Sequence, residues 1–236
     1  MSKIFAIAAK ELKSYFKSPI AYVVLIVTIS VFNIFFFLII DQNQEASLRD
    51  VFKIMEFLFI FIVPLLTMKT FAEEKLCGTM EFLMTTPTTN TAIVFGKYLG
   101  SLIFFSLIIG LTTSYYFILE WFSQPEALAI LTGYLGIWLE GALFIAIGIL
   151  ASSLTRNQII SAISSYVILF LLYFSISFIK YFSGLGEILI RYIGIWSHTE
   201  NFIMGLITMA DLAYYLSGIF ICILLTRLSI ENRLWR

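Results

Sequence analysis

Ala127–Leu154 reads ALAILTGYLGIWLEGALFIAIGILASSL, with Glu140 as its one charged side chain. A bilayer core about 30 Å thick needs about 20 apolar residues in helical form to cross it. This stretch exceeds that length, so it is read as a transmembrane helix. Working outward, five more stretches qualify: Ile20–Ile40, Val51–Met68, Tyr98–Leu119, Ile159–Ile179 and Leu212–Ile230. The fold class is therefore expected to be all-α. The expected architecture is a polytopic membrane protein whose six transmembrane helices form a single domain over residues 1–236. Composition agrees: 60% of the 236 residues are hydrophobic and 13% charged, with 24 Phe and 12 Tyr, against about 25% charged in soluble domains. Lysines precede the first span as in a signal peptide, but the apolar run from Pro19 to Ile40 is long and ends without a small-residue cleavage pattern, so a retained first helix is expected.

Net charge is zero, which gives no field for nucleic acid, and none is expected as a partner. The distribution of charge is informative instead. With both termini on one side, that side holds Lys3, Lys10, Lys13, Lys17, Lys69, Lys75, Lys97, Arg156, Arg227, Arg233 and Arg236, which is 11 of the 15 basic residues. The other side holds Arg49, Lys53, Lys180 and Arg191. The positive-inside rule then puts both termini in the cytoplasm. Cys77 falls in a cytoplasmic loop and Cys222 inside a span, so no disulfide is expected between them.

Three segments read as something other than spans. Residues 2–18 form an amphipathic helix for the membrane surface: at 100° per residue, Lys3, Lys10, Lys13 and Lys17 share an arc of roughly 80°. Ile4, Phe5, Ala8, Leu12, Tyr15 and Phe16 oppose them, Ile7 is an exception, and Pro19 ends the helix. The loop Lys69–Asn90 carries Glu73, Glu74, Lys75 and Glu81. It predicts a short helix from Phe71 to Met84, weakened at Gly78 and ended by Thr85-Thr86-Pro87, with Thr89 or Asn90 capping the next span. Residues 183–211 are too polar to cross and too apolar for solvent, which predicts short interfacial or re-entrant helices. Lys53 and Glu56 are expected to pair at i,i+3 or to snorkel.

The chemistry the chain lacks narrows its function. No GxxxxGK[ST] run is present to cradle a nucleotide. The single histidine, His198, leaves no two-histidine zinc motif and no common Ser-His device. Glu73-Glu74 matches the paired glutamates of certain intramembrane proteases, but those also need histidine ligands within the membrane. No enzymatic activity is expected. His198 beside Glu200 reads as an interfacial hydrogen-bonding residue. Glu140, near mid-span, is costly in lipid and is expected to face the protein interior, at a translocation path or a dimer interface. Gly133, Gly136, Gly141 and Gly148 would permit close helix contact around it.

Several motifs occur in order. Pro64–Lys75 reads PLLTMKTFAEEK, Gly78–Glu81 GTME and Leu83–Pro87 LMTTP, followed by Gly96-Lys97. Lys10-Glu11-Leu12 leads to Ser18-Pro19, Ser152–Gln158 reads SSLTRNQ, and His198–Phe202 reads HTENF before Gly205. These resemble the permease family of ABC type-2 transporters, and within it most resemble the branch of the gliding-motility permeases and the permease of nitrous-oxide-reductase maturation. The resemblance implies a bacterial inner-membrane permease that pairs with a second copy or a paralogue. Each copy would rest on a separate P-loop ATPase subunit that holds ATP and magnesium. Residues 72–90 would be the coupling loop, with Glu73, Glu74, Gly78, Thr79 and Glu81 contacting the ATPase, and residues 2–18 would be the connecting helix beside it. Glu140 departs from the family, where an apolar residue is more usual. An ATP-independent channel or scaffold is the alternative in a different class.

The charge bias makes topology testable. Cysteine placed at Ser2, Asn157 or Asn232 is expected to resist a membrane-impermeant thiol reagent in intact cells, and cysteine at Gln124 to react. Labelling at Asn157 but not at Gln124 contradicts the six-span order.

Overall fold

Pro19 has no N–H to give and sits where a helix needs none, at the first position of a new helix. In a computed structural model of the chain, which describes residues 3–43, 47–80, 88–181 and 183–231, helix α1 (Lys3–Lys17) accordingly ends two residues before Pro19 and α2 (Pro19–Asn43) begins on it. The chain continues as α3 (Arg49–Thr67), α4 (Lys69–Leu76), α5 (Asn90–Thr112), α6 (Ser114–Phe122), α7 (Ala127–Leu154) and α8 (Gln158–Phe174). A 3₁₀ turn (Ser175–Tyr181) leads to α9 (Leu185–Ile193), α10 (Ile195–Ile203) and α11 (Met209–Glu231). No strand occurs among the described residues. Among the described residues, six helical runs are long and apolar enough to cross a membrane, α3–α4 and α5–α6 each counting as one.

Helix α7 is the hub. Its span is 83% buried against 22% for the spans of α2, α8 and α11, which turn apolar side chains such as Val23, Phe37, Ile163, Leu171, Phe220 and Leu224 outward to lipid. What lets three elements crowd α7 is the lack of side chains at its glycines. The Phe52 ring of α3 fills the notch at Gly133, Phe202 of α10 that at Gly136, Phe105 of α5 that at Gly141 and Thr67 of α3 that at Gly148. The surface is inverted for α11, where Gly218 receives Leu143. Without a hydrophobic drive between helices inside lipid, close backbone approach of this kind is the principal source of packing energy.

Helices α3 and α4 follow α7 in one constant register. Phe52 meets Gly133 and Thr67 meets Gly148, while the Phe71 and Ala72 N–H groups meet Ser152 Oγ, each at 3.0 Å. The offset between Phe52 and Gly133 recurs between Thr67 and Gly148 and between Phe71 and Ser152, across roughly 28 Å of helix at 1.5 Å per residue. That is about the full hydrocarbon thickness. Pro64 sits inside this rod and helical bonding is interrupted at Met68. Ser152 Oγ accepts the displaced Phe71 and Ala72 N–H groups and donates to the Met68 carbonyl at 3.1 Å. The interruption therefore leaves these groups satisfied, as burial requires.

Several expectations change. The loop helix expected from Phe71 to Met84 is instead the end of the α3–α4 rod; it stops at Leu76, before Gly78 at φ +70°, while residues 81–87, with Glu81 and Thr85-Thr86-Pro87, lie outside the described residues. The third span starts at Asn90 instead of Tyr98, capped by Thr89 Oγ1, which accepts from Ala92 N–H at 3.3 Å. The expected cap at Thr89 is present, and Lys97 is thus two turns inside this helix. Lys53 pairs with Asp50 at 3.0 Å, not with Glu56, which is buried. In residues 183–211, α10 is packed into α7 and α9 keeps Leu185, Ile188 and Tyr192 exposed. Both cysteines are free.

Gly141→Val forces a branched side chain into Phe105 and is expected to cost about 1–3 kcal/mol or more of stability, read as a lowered thermal midpoint of the purified protein. Gly110→Ala, where nothing lies within 4 Å of an added Cβ, is expected to leave the midpoint unchanged or raise it slightly.

Candidate coupling site and buried acidic pair

Lys97 is 2% exposed, and an ammonium group that far from water needs all three of its N–H bonds met. Its Nζ donates to the Thr70 carbonyl at 2.7 Å, lies 2.9 Å from Glu74 Oε1 and donates to Glu11 Oε2 at 3.3 Å. The same Nζ lies 5.0 Å above the Phe71 ring. One cation thereby ties α1, α4 and α5 together. Lys10 adds a longer contact of 3.8 Å to Glu74 Oε1. Burial raises the Glu11 carboxyl above the ordinary carboxylate range; Lys97 opposes this and Glu74 adds to it.

Helix α1 reaches this site because it carries three faces. Ile7 and Glu11, at successive turns, lean on Gly96 and Gly100 of α5, where an added Cβ would come within 2.6 Å and 2.7 Å of them. Phe5 and Phe16 stay exposed on a second face, and Lys3, Lys10, Lys13 and Lys17 on a third. The apparent exception Ile7 is therefore a packing residue, and Glu11 sits with it, away from solvent. The Tyr15 hydroxyl donates to the Leu66 carbonyl at 3.1 Å and lies 2.9 Å from Ser101 Oγ, and its ring stacks on Phe104 at 4.9 Å. Burial pushes the Tyr15 hydroxyl well above its ordinary range. A cleft of about 350 Å³ opens here, lined by Lys10, Glu11, Lys17, Lys69, Glu73 and Glu74 among others.

The other residues singled out in this region separate by exposure. Glu73, Leu76, Cys77, Gly78 and Thr79 form an exposed lip at the end of α4, with Thr79 Oγ1 donating to the Glu74 carbonyl at 3.3 Å. Glu74 turns inward to Lys97 instead. The Lys75 ammonium donates to the Ser153 carbonyl at the end of α7, which also accepts from Ser229 Oγ of α11 at 3.1 Å. The lip is thus fastened to three helices beneath it.

Deep in the bundle, Glu140 is 0% exposed and Glu56 1%. Both Glu140 oxygens and Glu56 Oε1 find no hydrogen-bond partner among the described residues. The protomer itself encloses them. Nearby Trp138 does not reach Glu140; its Nε1 donates to Ser106 Oγ at 2.8 Å. Among the described residues, no three His, Cys, Asp or Glu side chains gather as a metal site would need.

Residues 5–187 match the family model described as ABC-2 family transporter protein. The chain belongs to this family. The match spans α1, the hub helix and the lip at α4, so the ABC-2 permease assignment covers the elements that build the site. A comparison with curated proteins finds no match. An ABC-2 permease is the multi-pass membrane component of an ABC transporter and works with an ABC ATPase subunit.

Two parts of the permease escaped the reading of its sequence. Lys97 counts in the sequence only as one more basic residue on the cytoplasmic side, and only its place beside Gly96 and near Gly100, which seat Ile7 and Glu11, points to a buried position. His198 was set beside Glu200, its neighbour in sequence. Its Nδ1 instead lies 2.6 Å from Asp211 Oδ1 and its Nε2 3.0 Å from the Tyr192 carbonyl, with the Tyr214 ring stacked on it at 4.1 Å. Asp211 also accepts from Asn201 Nδ2 at 3.0 Å and Thr208 Oγ1 at 2.7 Å. This network fixes α10 to the start of α11.

Lys97→Met removes the cation and leaves Glu11 and Glu74 buried together. Loss of one partner from a buried ion pair costs about 3–5 kcal/mol. The variant is expected to unfold at lower temperature and to yield α1 early to limited proteolysis, whereas Lys13→Met, on the exposed face, leaves both unchanged.

Proposed function

We propose that this permease is driven by a separate P-loop ATPase that docks on residues 72–90, and that it exports or translocates its substrate across the bacterial inner membrane with both termini in the cytoplasm. The observation that carries this reading is the constant register of α3–α4 on α7. Glu73, Gly78 and Thr79 stand exposed at one end of that rod, and Lys75 and Ser152 bind it to α7 beneath. A displacement applied at the lip passes into the hub helix without slippage. Leu76, 67% exposed beside these polar groups, suits a protein surface better than open water.

In this mechanism ATP and magnesium stay on the ATPase. Glu73, Gly78, Thr79 and Glu81 meet the ATPase, and Glu74 transmits its motion through Lys97 to α1 and α5. Two permease copies, or a copy and a paralogue, complete the transporter. Kinship with the gliding-motility and nitrous-oxide-reductase-maturation branch rests on the order of the sequence motifs. Glu140, enclosed within the protomer, is assigned in this reading to the translocation path in preference to the dimer interface.

Glu81→Lys is expected to insert normally, because it lies outside the spans, and to lose the ATPase on co-purification. A lost charge pair with added like-charge repulsion is worth several kcal/mol at an interface, on the order of a hundredfold or more in affinity. Undiminished co-purification together with unchanged transport removes residues 72–90 as the docking site; substrate flux without ATP assigns the chain to the passive channels.

A further inference from the structure

Glu56 and Glu140 are two buried carboxyls for which no ion-pair partner occurs among the described residues. The α3–α7 register that places Phe52 on Gly133 puts Glu56 level with Ile137. Glu140 then lies one turn further along, roughly 4.5 Å at 1.5 Å per residue. The titratable or charged groups facing the pair are Lys53 of α3, Tyr173 of α8, Glu200 of α10, and Tyr214 and Tyr215 of α11. Lys53 is committed to Asp50 at 3.0 Å. The Tyr214 hydroxyl donates to the Ile193 carbonyl at 2.7 Å, and the Tyr215 hydroxyl is shared with Thr199 at 2.7 Å. From α5 the neighbour is the apolar Phe105, packed on Gly141.

Three carboxylate oxygens are therefore buried without a partner among the described residues. An ionised carboxylate in that position loses its hydration with nothing in exchange, and a second one a turn away repels it. Neither residue lines the cleft at α1 or the cleft at the opposite end around Arg49 and Glu126. Among the described residues no third acidic, Cys or His side chain, Glu200 included, gathers with the pair as a metal ion would need. The ligand that needs no cavity and satisfies both groups is the proton.

We propose that Glu56 and Glu140 form a proton-binding site whose carboxyls are kept as neutral acids while the helices packed around the α3–α7 pair exclude water. When movement of those helices admits water, each acid gives its proton to an incoming water, leaving a carboxylate and a hydronium ion with no change of redox state. The site itself follows from burial and register. The release step rests on the permease reading, because it needs helix movement driven from the lip.

The test is the infrared spectrum of the full-length protein in phosphatidylcholine vesicles at neutral pH. The expected result is a carboxylic-acid C=O stretch typical of groups with little hydrogen bonding and slow to shift in D₂O. It weakens in Glu56→Gln and in Glu140→Gln, is lost in the double variant, and persists in Glu120→Gln, which alters an exposed residue of α6. A wild-type spectrum with no such band overturns the site whether or not the variants fold, and so does a band that all three Gln variants leave intact. A second reading is thermal stability against pH. A proton held in the folded state and released on unfolding makes the wild type lose stability as pH rises, and the double variant is expected to lose this dependence above neutral pH. An equal alkaline loss in the double variant overturns the site. With the ATPase bound, loss of the band on adding ATP supports release. A band unchanged through ATP turnover overturns release and leaves the resting-state band as support for the site.

Discussion

The close approach of helices to the glycines of α7 is the constraint on which the rest of the molecule depends. Lipid chains are as apolar as leucine, so the spans gain nothing by hiding apolar surface from one another. They gain by fitting. Phe52, Phe202, Phe105 and Thr67 each occupy a notch that a single methyl group on α7 would close. Because these notches face three different elements, α7 fixes the relative positions of α3, α5 and α10 at once. The outer helices α2, α8 and α11 need less precision, and their exposed rows of Ile, Leu, Val and Phe match lipid instead.

Most polar groups near the α4 end are placed so that this packing is not broken by an unmet hydrogen bond, Thr70 Oγ1 and Glu74 Oε2 being exceptions. Ser152 supplies both the acceptor and the donor that the interruption at Met68 requires. The Tyr134 hydroxyl donates to the Thr112 carbonyl at 2.6 Å, where α5 gives way to α6. Lys97 meets a carbonyl and two carboxylates. In an apolar solvent each of these would otherwise cost several kcal/mol. Against this background Glu140 stands out, since the fold leaves both of its oxygens without such a partner, with Glu56 Oε1 in the same condition close by.

The two ends of the bundle are built for different purposes. At one end α1, α4 and α5 share the Lys97 cluster, and an exposed lip rises from α4. The lip is coupled to α7 by Ser152 and Lys75 and to α11 through the Ser153 carbonyl. At the other end the His198–Asp211 network closes α10 over the hub. The α3–α4 rod joins the two through one unbroken register, so neither end can shift against α7 without breaking contacts along the whole length.

Periodicity and length alone determined the number of spans, the all-α class and the amphipathic first helix, because a bilayer demands long apolar helices whatever their neighbours are. The motifs around residues 10–19, 64–97 and 152–158 lie within the stretch that matches the family. The glycines of Ala127–Leu154 signalled close contact, although not with what. Only the tertiary structure decided that Lys97 is buried, that Glu74 faces inward while Glu73 faces out, that Ile7 packs while Phe5 does not, and that His198 pairs with Asp211, 13 residues away. It also brought Glu56, which sequence spacing had assigned to Lys53, alongside Glu140. The physical reason is the same in each case. Local spacing says which residues share a face of one helix, but which helix that face meets, and at what register, is decided by side-chain notches on a partner far away in the chain.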